Sequence, residues 1–399
     1  YMREMNDLGV ETKGDSLKDK NILLGISGGI AATESIKLLR ELRRYGAKIT
    51  VIMTNSAQKI ITPLAVSWAG DCEVICDWEH KMTGLKNYDG ILLAPSTRNI
   101  MAKICNGIID SPLLMAISAA KANNIPVMLI PSMHQVLADD SITQDLSRQL
   151  NDQGLKLLWG EIDENKSKQP DTISIVANFS HYMNSYLENR KNIVITLGST
   201  ISFLDDIRYV KNTSSGKTGF EIASRLHRWG HEVTIVSGER SYTHEYKLPL
   251  IINAPEPHEM LLELKALAKC SIDVWIHSAA VLDYVNENLI EGKFPSGNKE
   301  LIFNLNKSPK HLEELKNDVV GSFRIGFKLE SNIKLKELIT KATSFVERNE
   351  LNAVIANRLE DINDNSKNRA HLILRNGDHF ALSTNSEISN AIRLLIENN

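Results

Sequence analysis

The sequence predicts an α/β protein built from two Rossmann-like domains in tandem, each a mainly parallel sheet wrapped by helices. Along most of the 399 residues, short apolar runs alternate with amphipathic stretches of helical period, the pattern of strands joined by crossover helices. Several runs stop at loops rich in Gly, Ser, Thr and Asn, where doubly wound sheets collect their ligands. Near Lys191 the alternation begins again.

In order, Asn21-Ile-Leu-Leu-Gly25 reads as a buried strand, followed by the loop Ser27-Gly-Gly-Ile-Ala-Ala32 and an amphipathic helix to about Tyr45. Further strands are expected at 48–53, 90–94 and 126–130, each leading into a loop and then helical pattern. The polar run 161–171 reads as a loop, and a helix over 172–189 leads to Arg190-Lys191-Asn192. There the boundary falls between a domain of residues 1–190 and one of 191–399. The second half repeats the layout with a strand at 193–196, a glycine loop, a helix at 217–229 and a strand at 232–236. The likeness is architectural and too loose for a sequence repeat.

Composition narrows the function classes. A hydrophobic share of 42% with 24% charged residues is that of an ordinary soluble protein. The formal net charge of −3 offers no general nucleic-acid surface. No apolar run reaches the roughly 18 residues that a membrane span needs, and the first residues lack the apolar core of a secretory signal. Cys72 and Cys76 have no second Cys or His pair nearby, so a zinc site is not expected. A reducing cytoplasm is the expected compartment.

The richest stretch for chemistry is 204–217, Leu-Asp-Asp-Ile-Arg-Tyr-Val-Lys-Asn-Thr-Ser-Ser-Gly-Lys, set between a strand and a helix. Hydroxyls, amides, a glycine and fixed charges at that position suit a phosphate-bearing ligand. Arg208 and Lys217 can anchor phosphate, although Lys217 equally suits a solvated charge at a helix start. Asp205 can fix Arg208 by a paired hydrogen bond, and the Asn212 amide can hold an acyl group. In the first half, Gly25-Ile-Ser-Gly28-Gly29 lacks the dinucleotide spacing but still turns backbone N–H groups toward an anion. Three more loops accompany it: Thr54-Asn-Ser-Ala57, Ala94-Pro-Ser-Thr-Arg-Asn99 and Pro131-Ser-Met-His134.

Taken together these motifs resemble the bifunctional coenzyme A biosynthesis family, a phosphopantothenoylcysteine decarboxylase fused to a phosphopantothenate–cysteine ligase. Residues 18–185 resemble the flavin-containing Cys decarboxylases. That resemblance implies a flavodoxin-like flavoprotein domain holding FMN, the phosphate on Ser27 and Gly28, the ring near Thr54, Ser96, Thr97 and Asn99. It further implies flavin-domain trimers and ligase-domain dimers, which together would build a homo-oligomer as large as a dodecamer. A carboxylate beside a thiol-bearing carbon has no electron sink. In this family FMN is implied to oxidise the thiol first, so that the carbanion left by loss of carbon dioxide is conjugated.

In the second half, Gly198-x-Thr200, Asp205-x-x-Arg208 and Asn212-x-Ser214-Ser215-Gly216-Lys217 resemble the ligases, as does His277-Ser-Ala279-Ala280-Val-Leu-Asp283-Tyr. The resemblance implies that Ala280 contacts the acid substrate and that Ala279 and Asp283 meet the nucleotide. Asp283 would also hold Mg2+. Lys293 matches the first Lys of the family's flap, and Lys307-Ser308-Pro309-Lys310 stands where the family has a segment beside the nucleotide phosphates. Phe327, in Gly326-Phe-Lys-Leu-Glu330, would contact the base. The implied co-substrate is CTP, with ATP as the alternative, and the implied substrates are 4′-phosphopantothenate and L-cysteine.

The chain departs from the family in places. Pro131-Ser-Met-His134 replaces the usual Pro-Ala-Met-Asn, and no Cys lies between Cys105 and Cys270 to serve as the flap proton donor. His134 is then the candidate for substrate carboxylate binding or proton donation, with Lys166 or Lys168 assisting, in the manner of archaeal-like members. His80, near the family's catalytic His, sits about one residue out of register. Phe345 and Asn349 stand where two lysines are usual, leaving Lys341 or Arg348 to compensate. Three readings stay open: both activities; a ligase with a degenerate flavin-binding or assembly domain; and a regulatory flavoprotein that binds a partner protein.

Overall fold

Asn21–Ile26 (β1) is apolar from Ile22 onward, and all but its first residue are buried, because helices cover both faces of its sheet. A 3-10 turn, Ile30–Glu34, precedes α1 (Ser35–Arg44). Then come β2 (Lys48–Met53), α2 (Pro63–Gly70), β3 (Glu73–Ile75), β4 (Gly90–Ser96), α3 (Arg98–Cys105), α4 (Pro112–Ala122) and β5 (Val127–Pro131). After these run β6 (Met133–His134), α5 (Gln135–Ala138), α6 (Ser141–Asp152), β7 (Lys156–Leu157), β8 (Ile162–Asp163), β9 (Lys166–Ser167) and α7 (Thr172–Asn184).

The main sheet has the order β3-β2-β1-β4-β5-β7, and its pairs are parallel. Chain progression reverses between β1 and β4, which opens a crevice at their carboxyl ends. Leu38, Leu39 and Leu42 of α1 pack with Val176 and Phe179 of α7 on one face. Met101, Ile104, Leu113 and Ile117 fill the other. This is the doubly wound, Rossmann-like α/β class that the sequence predicts.

The second unit begins with β10 (Asn192–Leu197), β11 (Ile201–Phe203), β12 (Tyr209–Lys211), α8 (Lys217–Arg228), β13 (Glu232–Ser237), β14 (Leu250–Asn253) and α9 (Pro257–Leu267). It continues through β15 (Val274–His277), β16 (Tyr284–Val285), β17 (Asn306–Lys307), α10 (His311–Glu314), β18 (Phe323–Glu330) and α11 (Leu335–Arg348). It closes with β19 (Ala353–Arg358), β20 (Ala370–Leu374), β21 (His379–Leu382) and α12 (Asn385–Glu397). The sheet order is β14-β13-β10-β15-β18-β19-β20-β21. The first six strands of that order are parallel, and β20 and β21 extend the sheet antiparallel. Here the order reverses between β10 and β15, so the site-bearing loops rise from that edge.

The computed structural model describes residues 9–78, 88–163, 166–286, 291–293, 302–362, 364 and 368–399. The chain divides into Tyr1–Tyr186 with Arg228–Gly230, and Leu187–His227 with His231–Asn399. Two expectations change. The run 161–171 is not merely a loop, since β8 and β9 pair antiparallel with each other and β9 with β6. The helix expected over 172–189 ends at Asn184, and Ser185 caps it by donating its N–H to the His181 carbonyl at 2.8 Å. Among the described residues no helix is long and apolar enough to cross a membrane.

Candidate active sites

In the first unit, loops at the ends of β1, β2, β3 and β4 surround a cavity of about 430 Å³. Gly28, Thr54, Thr97 and Asn99 line it, together with Ser56, Asp77 and Trp78. A Cβ at Gly28 would stand 2.2 Å from Ser56 Cβ, so only bare backbone lets these two loops close so tightly. Ser27 is fully buried, donates its hydroxyl to the Pro95 carbonyl at 2.8 Å and accepts the Thr97 N–H at 3.1 Å. Its side chain therefore staples the first loop to the fourth, and the neighbouring backbone faces the cavity. Thr97 also caps α3 by accepting the Ile100 N–H. Ser96 is fully buried, and its hydroxyl has no hydrogen-bond partner among the described residues. Lys103 and Asp110 form a 2.5 Å ion pair on the cavity wall.

These residues fit the flavin mononucleotide that the sequence motifs imply. The volume lies within the roughly 300–1,000 Å³ of ordinary cofactor sites. Glycine backbone, hydroxyls, amides and a lysine also offer partners for a phosphate and a polar ring edge. Beyond the cavity, His134 is exposed just before α5, and the β6–β9 ladder sets it directly opposite Lys166. The Lys166 side chain and all of His80 lie outside the described residues.

In the second unit, Gly198 follows β10 with φ of 80°, and a Cβ there would meet the Glu239 carbonyl at 2.6 Å. This turn puts Thr196 and Thr200 under the 279–282 loop. Thr196 Oγ1 accepts the Ala279 N–H at 3.2 Å, and Thr200 Oγ1 accepts the Leu282 N–H at 2.8 Å. Ala280 donates its own N–H to the Gly198 carbonyl at 2.9 Å. The Asn212 amide reaches the same loop, donating to the Ala280 and Val281 carbonyls at 3.2 and 3.4 Å.

Asp205 is fully buried and accepts the N–H groups of Ile207 and Arg208 at 2.9 and 2.7 Å. It also pairs with Arg208 Nη1 at 3.2 Å, the geometry expected from Asp-x-x-Arg. Asp206 Oδ2 accepts the Gly292 N–H at 2.8 Å, which tethers Lys293, itself exposed, to the same turn. Ser214 and Ser215 hydroxyls accept the N–H groups of Gly216 and Lys217 at 3.4 and 3.3 Å, shaping the entry to α8. Lys217 is half-exposed, 3.8 Å from Glu221 and 5.9 Å from the Tyr242 ring centre.

Asp283 is brought to the segment 307–310 by pairing of β16 with β17. The Ser308 N–H donates to the Asp283 carbonyl at 2.8 Å, and the Lys310 ammonium bonds the Asp283 carboxylate. Ser308 is buried and Pro309 links it to Lys310. No cluster of three or more His, Cys, Asp or Glu is placed for a metal among the described residues. A divalent ion on Asp283 would take its remaining ligands from phosphate oxygens and water. Phe327 is half-buried, one residue beyond the Gly326 that lies opposite His277. Burial pushes His277 down to about 3, helped by Arg324 and His311.

Phe345 is half-buried against the core, and Asn349 is buried with its carbonyl held by Arg324 Nη1 at 3.0 Å. Both positions are structural here. Of the flanking charges, Lys341 lies 3.3 and 3.6 Å from Glu330 and Glu337, and Arg348 lies 6.0 Å from the Phe345 ring centre.

Residues 10–183 match the family model described as Flavoprotein. Residues 188–398 match the DNA/pantothenate metabolism flavoprotein C-terminal domain. The coenzyme A biosynthesis bifunctional protein CoaBC of Thermococcus kodakarensis is 32% identical, with 88% of each chain covered. The chain belongs to this family. The CoaBC protein of Methanocaldococcus jannaschii is also 32% identical, over 87% of this chain and 86% of its own. A solved DNA/pantothenate metabolism flavoprotein from Streptococcus pneumoniae covers 52% of this chain and 99% of its own, at 24% identity and TM-score 0.47. As a bifunctional coenzyme A biosynthesis protein, the chain joins a flavoprotein decarboxylase half to a ligase half. Within that family framework, Thr196 is a site-shaping residue that sequence reasoning passed over. Its only signal was a hydroxyl in an otherwise apolar strand end.

Proposed function

We propose that the ligase half, residues 191–399, joins 4′-phosphopantothenate to L-cysteine, and that residues 1–190 decarboxylate the product to 4′-phosphopantetheine. A carboxylate resists amines until its oxygen becomes a leaving group. CTP, with ATP as the alternative, transfers its nucleotidyl group to that oxygen and releases pyrophosphate. The cysteine amine then attacks the acyl carbon and the nucleoside monophosphate leaves. The observation that carries this reading is the meeting of Asn212, Ala280 and Val281 on one loop pair at the carboxyl edge of the sheet.

In this reading Arg208, Ser214, Ser215, Gly216 and Lys217 bind the acid. Asp283 with Mg2+, and Lys293, Lys307 and Lys310, neutralise the triphosphate. Ala279, Ser308, Pro309 and Phe327 frame the nucleotide.

In the first half, Gly28, Thr54, Ser96, Thr97 and Asn99 would hold FMN, which supplies two-electron chemistry at the thiol when bound. His134 orients the substrate carboxylate or returns a proton, and its ladder position opposite Lys166 supports a paired role; His80 is a further candidate. Exposed Ile30, Trp68 and Val136 support burial of the first unit in a homo-oligomer. Four cysteines without a disulfide support a reducing cytoplasm.

The test supplies phosphopantothenate, cysteine and each nucleotide in turn and assays pyrophosphate. Failure with every nucleotide overturns the ligase assignment. The second reading, a ligase with an inert flavin domain, is favoured by the missing flap cysteine. Bound flavin without carbon dioxide from phosphopantothenoylcysteine would establish it.

A further inference from the structure

The loop after β13 plays no part in the reading above, yet it lies against the entry to α8. Tyr242 donates its N–H to the Ser215 carbonyl at 3.2 Å. A Cβ at Gly216 would stand 3.4 Å from Arg240 Cβ. Arg240 is exposed but oriented. Its Nη1 donates to Ser237 Oγ at 2.9 Å and to Asn253 Oδ1 at 3.0 Å, and its guanidinium carbon lies 5.7 Å from the centre of the Phe220 ring in the first turn of α8.

Neutral oxygens and a ring therefore hold this cation in place. Among the described residues no carboxylate pairs with it, and Nη2 and Nε have no hydrogen bond. A guanidinium fixed by uncharged partners keeps its fork and its full charge for an incoming oxyanion. Lys217, across the same loop, adds a second positive charge.

We propose that Arg240 is a specificity-determining residue that takes the terminal phosphate of the acid substrate. Through it the ligase distinguishes a phosphorylated acid from the free alcohol. This rests on the ligase reading above and on the Ser214–Ser215–Gly216 loop as the place where that acid binds.

The test is steady-state pyrophosphate release by the full-length protein with CTP and cysteine, varying either phosphopantothenate or unphosphorylated pantothenate. Arg240→Ala raises KM for phosphopantothenate about tenfold, equivalent to about 1.4 kcal/mol. It leaves KM for pantothenate and for CTP within about twofold, an order-of-magnitude allowance for a residue that touches neither. Arg240→Lys recovers part of the loss, because charge returns without the fork. An equal rise for both acids, or a rise for CTP instead, overturns the proposal. If the wild-type protein releases no pyrophosphate, the ligase reading itself fails. The anion site is then read directly: inorganic phosphate raises the melting midpoint of wild type and not of Arg240→Ala, and equal shifts overturn it.

Discussion

The side-chain amide of Asn212 spans two loops, donating to the Ala280 carbonyl at 3.2 Å and to the Val281 carbonyl at 3.4 Å. Asn212→Asp keeps the shape but replaces two donors by an acceptor that faces two carbonyl oxygens. That repulsion displaces the 279–282 loop, and misplacing reacting groups by about 1 Å costs roughly 100-fold in rate. The expected outcome is a fall of that order in pyrophosphate release, with carbon dioxide release from phosphopantothenoylcysteine unchanged. Parallel loss of both activities would refute separate sites.

Gly28 occupies the point where the first and second loops nearly touch, 2.2 Å from Ser56 Cβ by projection of a side chain. Gly28→Ala must push the Ser56 loop outward, because overpacking at a tight backbone contact costs about 1–3 kcal/mol. The cavity that this loop walls then changes shape. The purified variant should lose visible flavin absorbance while still releasing pyrophosphate with CTP. Retention of full flavin content would show that the cofactor does not depend on this approach.

Why some of this was legible in sequence, and some not, follows from the range of the interactions. The runs at 21–25, 48–53 and 90–94 are apolar because helices cover both sheet faces, so hydropathy alone marks them. Asp205 and Arg208 were readable because both partners sit within one turn. β8 and β9 were not, since each is two residues long and exists only through pairing, β9 with Met133–His134. The direction of the Ser27 hydroxyl, inward to the Pro95 carbonyl, is fixed by a strand 68 residues away and leaves no local trace. Nothing local in the sequence separates Arg240 from other loop charges, because its partners Ser237, Asn253 and Phe220 come from three different elements.

Asp283 holds Lys310 through an ion pair whose members are both well exposed, at 64% and 43%. Such a pair adds little stability, and it is poised to be exchanged. Asp283 would hold a divalent ion, and the Lys310 ammonium would then be free for phosphate oxygens. Lys310→Met should therefore leave the melting temperature nearly unchanged and raise KM for the nucleotide about tenfold, worth about 1.4 kcal/mol. Removing divalent ions with a chelator should abolish pyrophosphate release and spare decarboxylation. Pyrophosphate release that survives chelation would remove Asp283 from metal binding.

His277 sits at the end of β15, stacked on Trp275 with ring centres 6.3 Å apart. Burial, with Arg324 and His311 nearby, pushes it down to about 3, so it stays neutral in the folded protein. In the unfolded chain it takes up a proton near pH 6.5. Between those values the unfolded state binds more protons, and stability falls as pH falls, by at most about 1.4 kcal/mol per pH unit for one group. Burial lowers His311 too, and hydrogen bonding from Lys328 lowers Glu330, so both act in the same direction. His277→Phe keeps the ring stack and deletes one titrating group, leaving the others in place. Wild type should lose more of its melting temperature than His277→Phe between pH 7 and pH 5. Equal losses would show that the His277 ring is protonated in the folded state and that its burial is relieved by local opening.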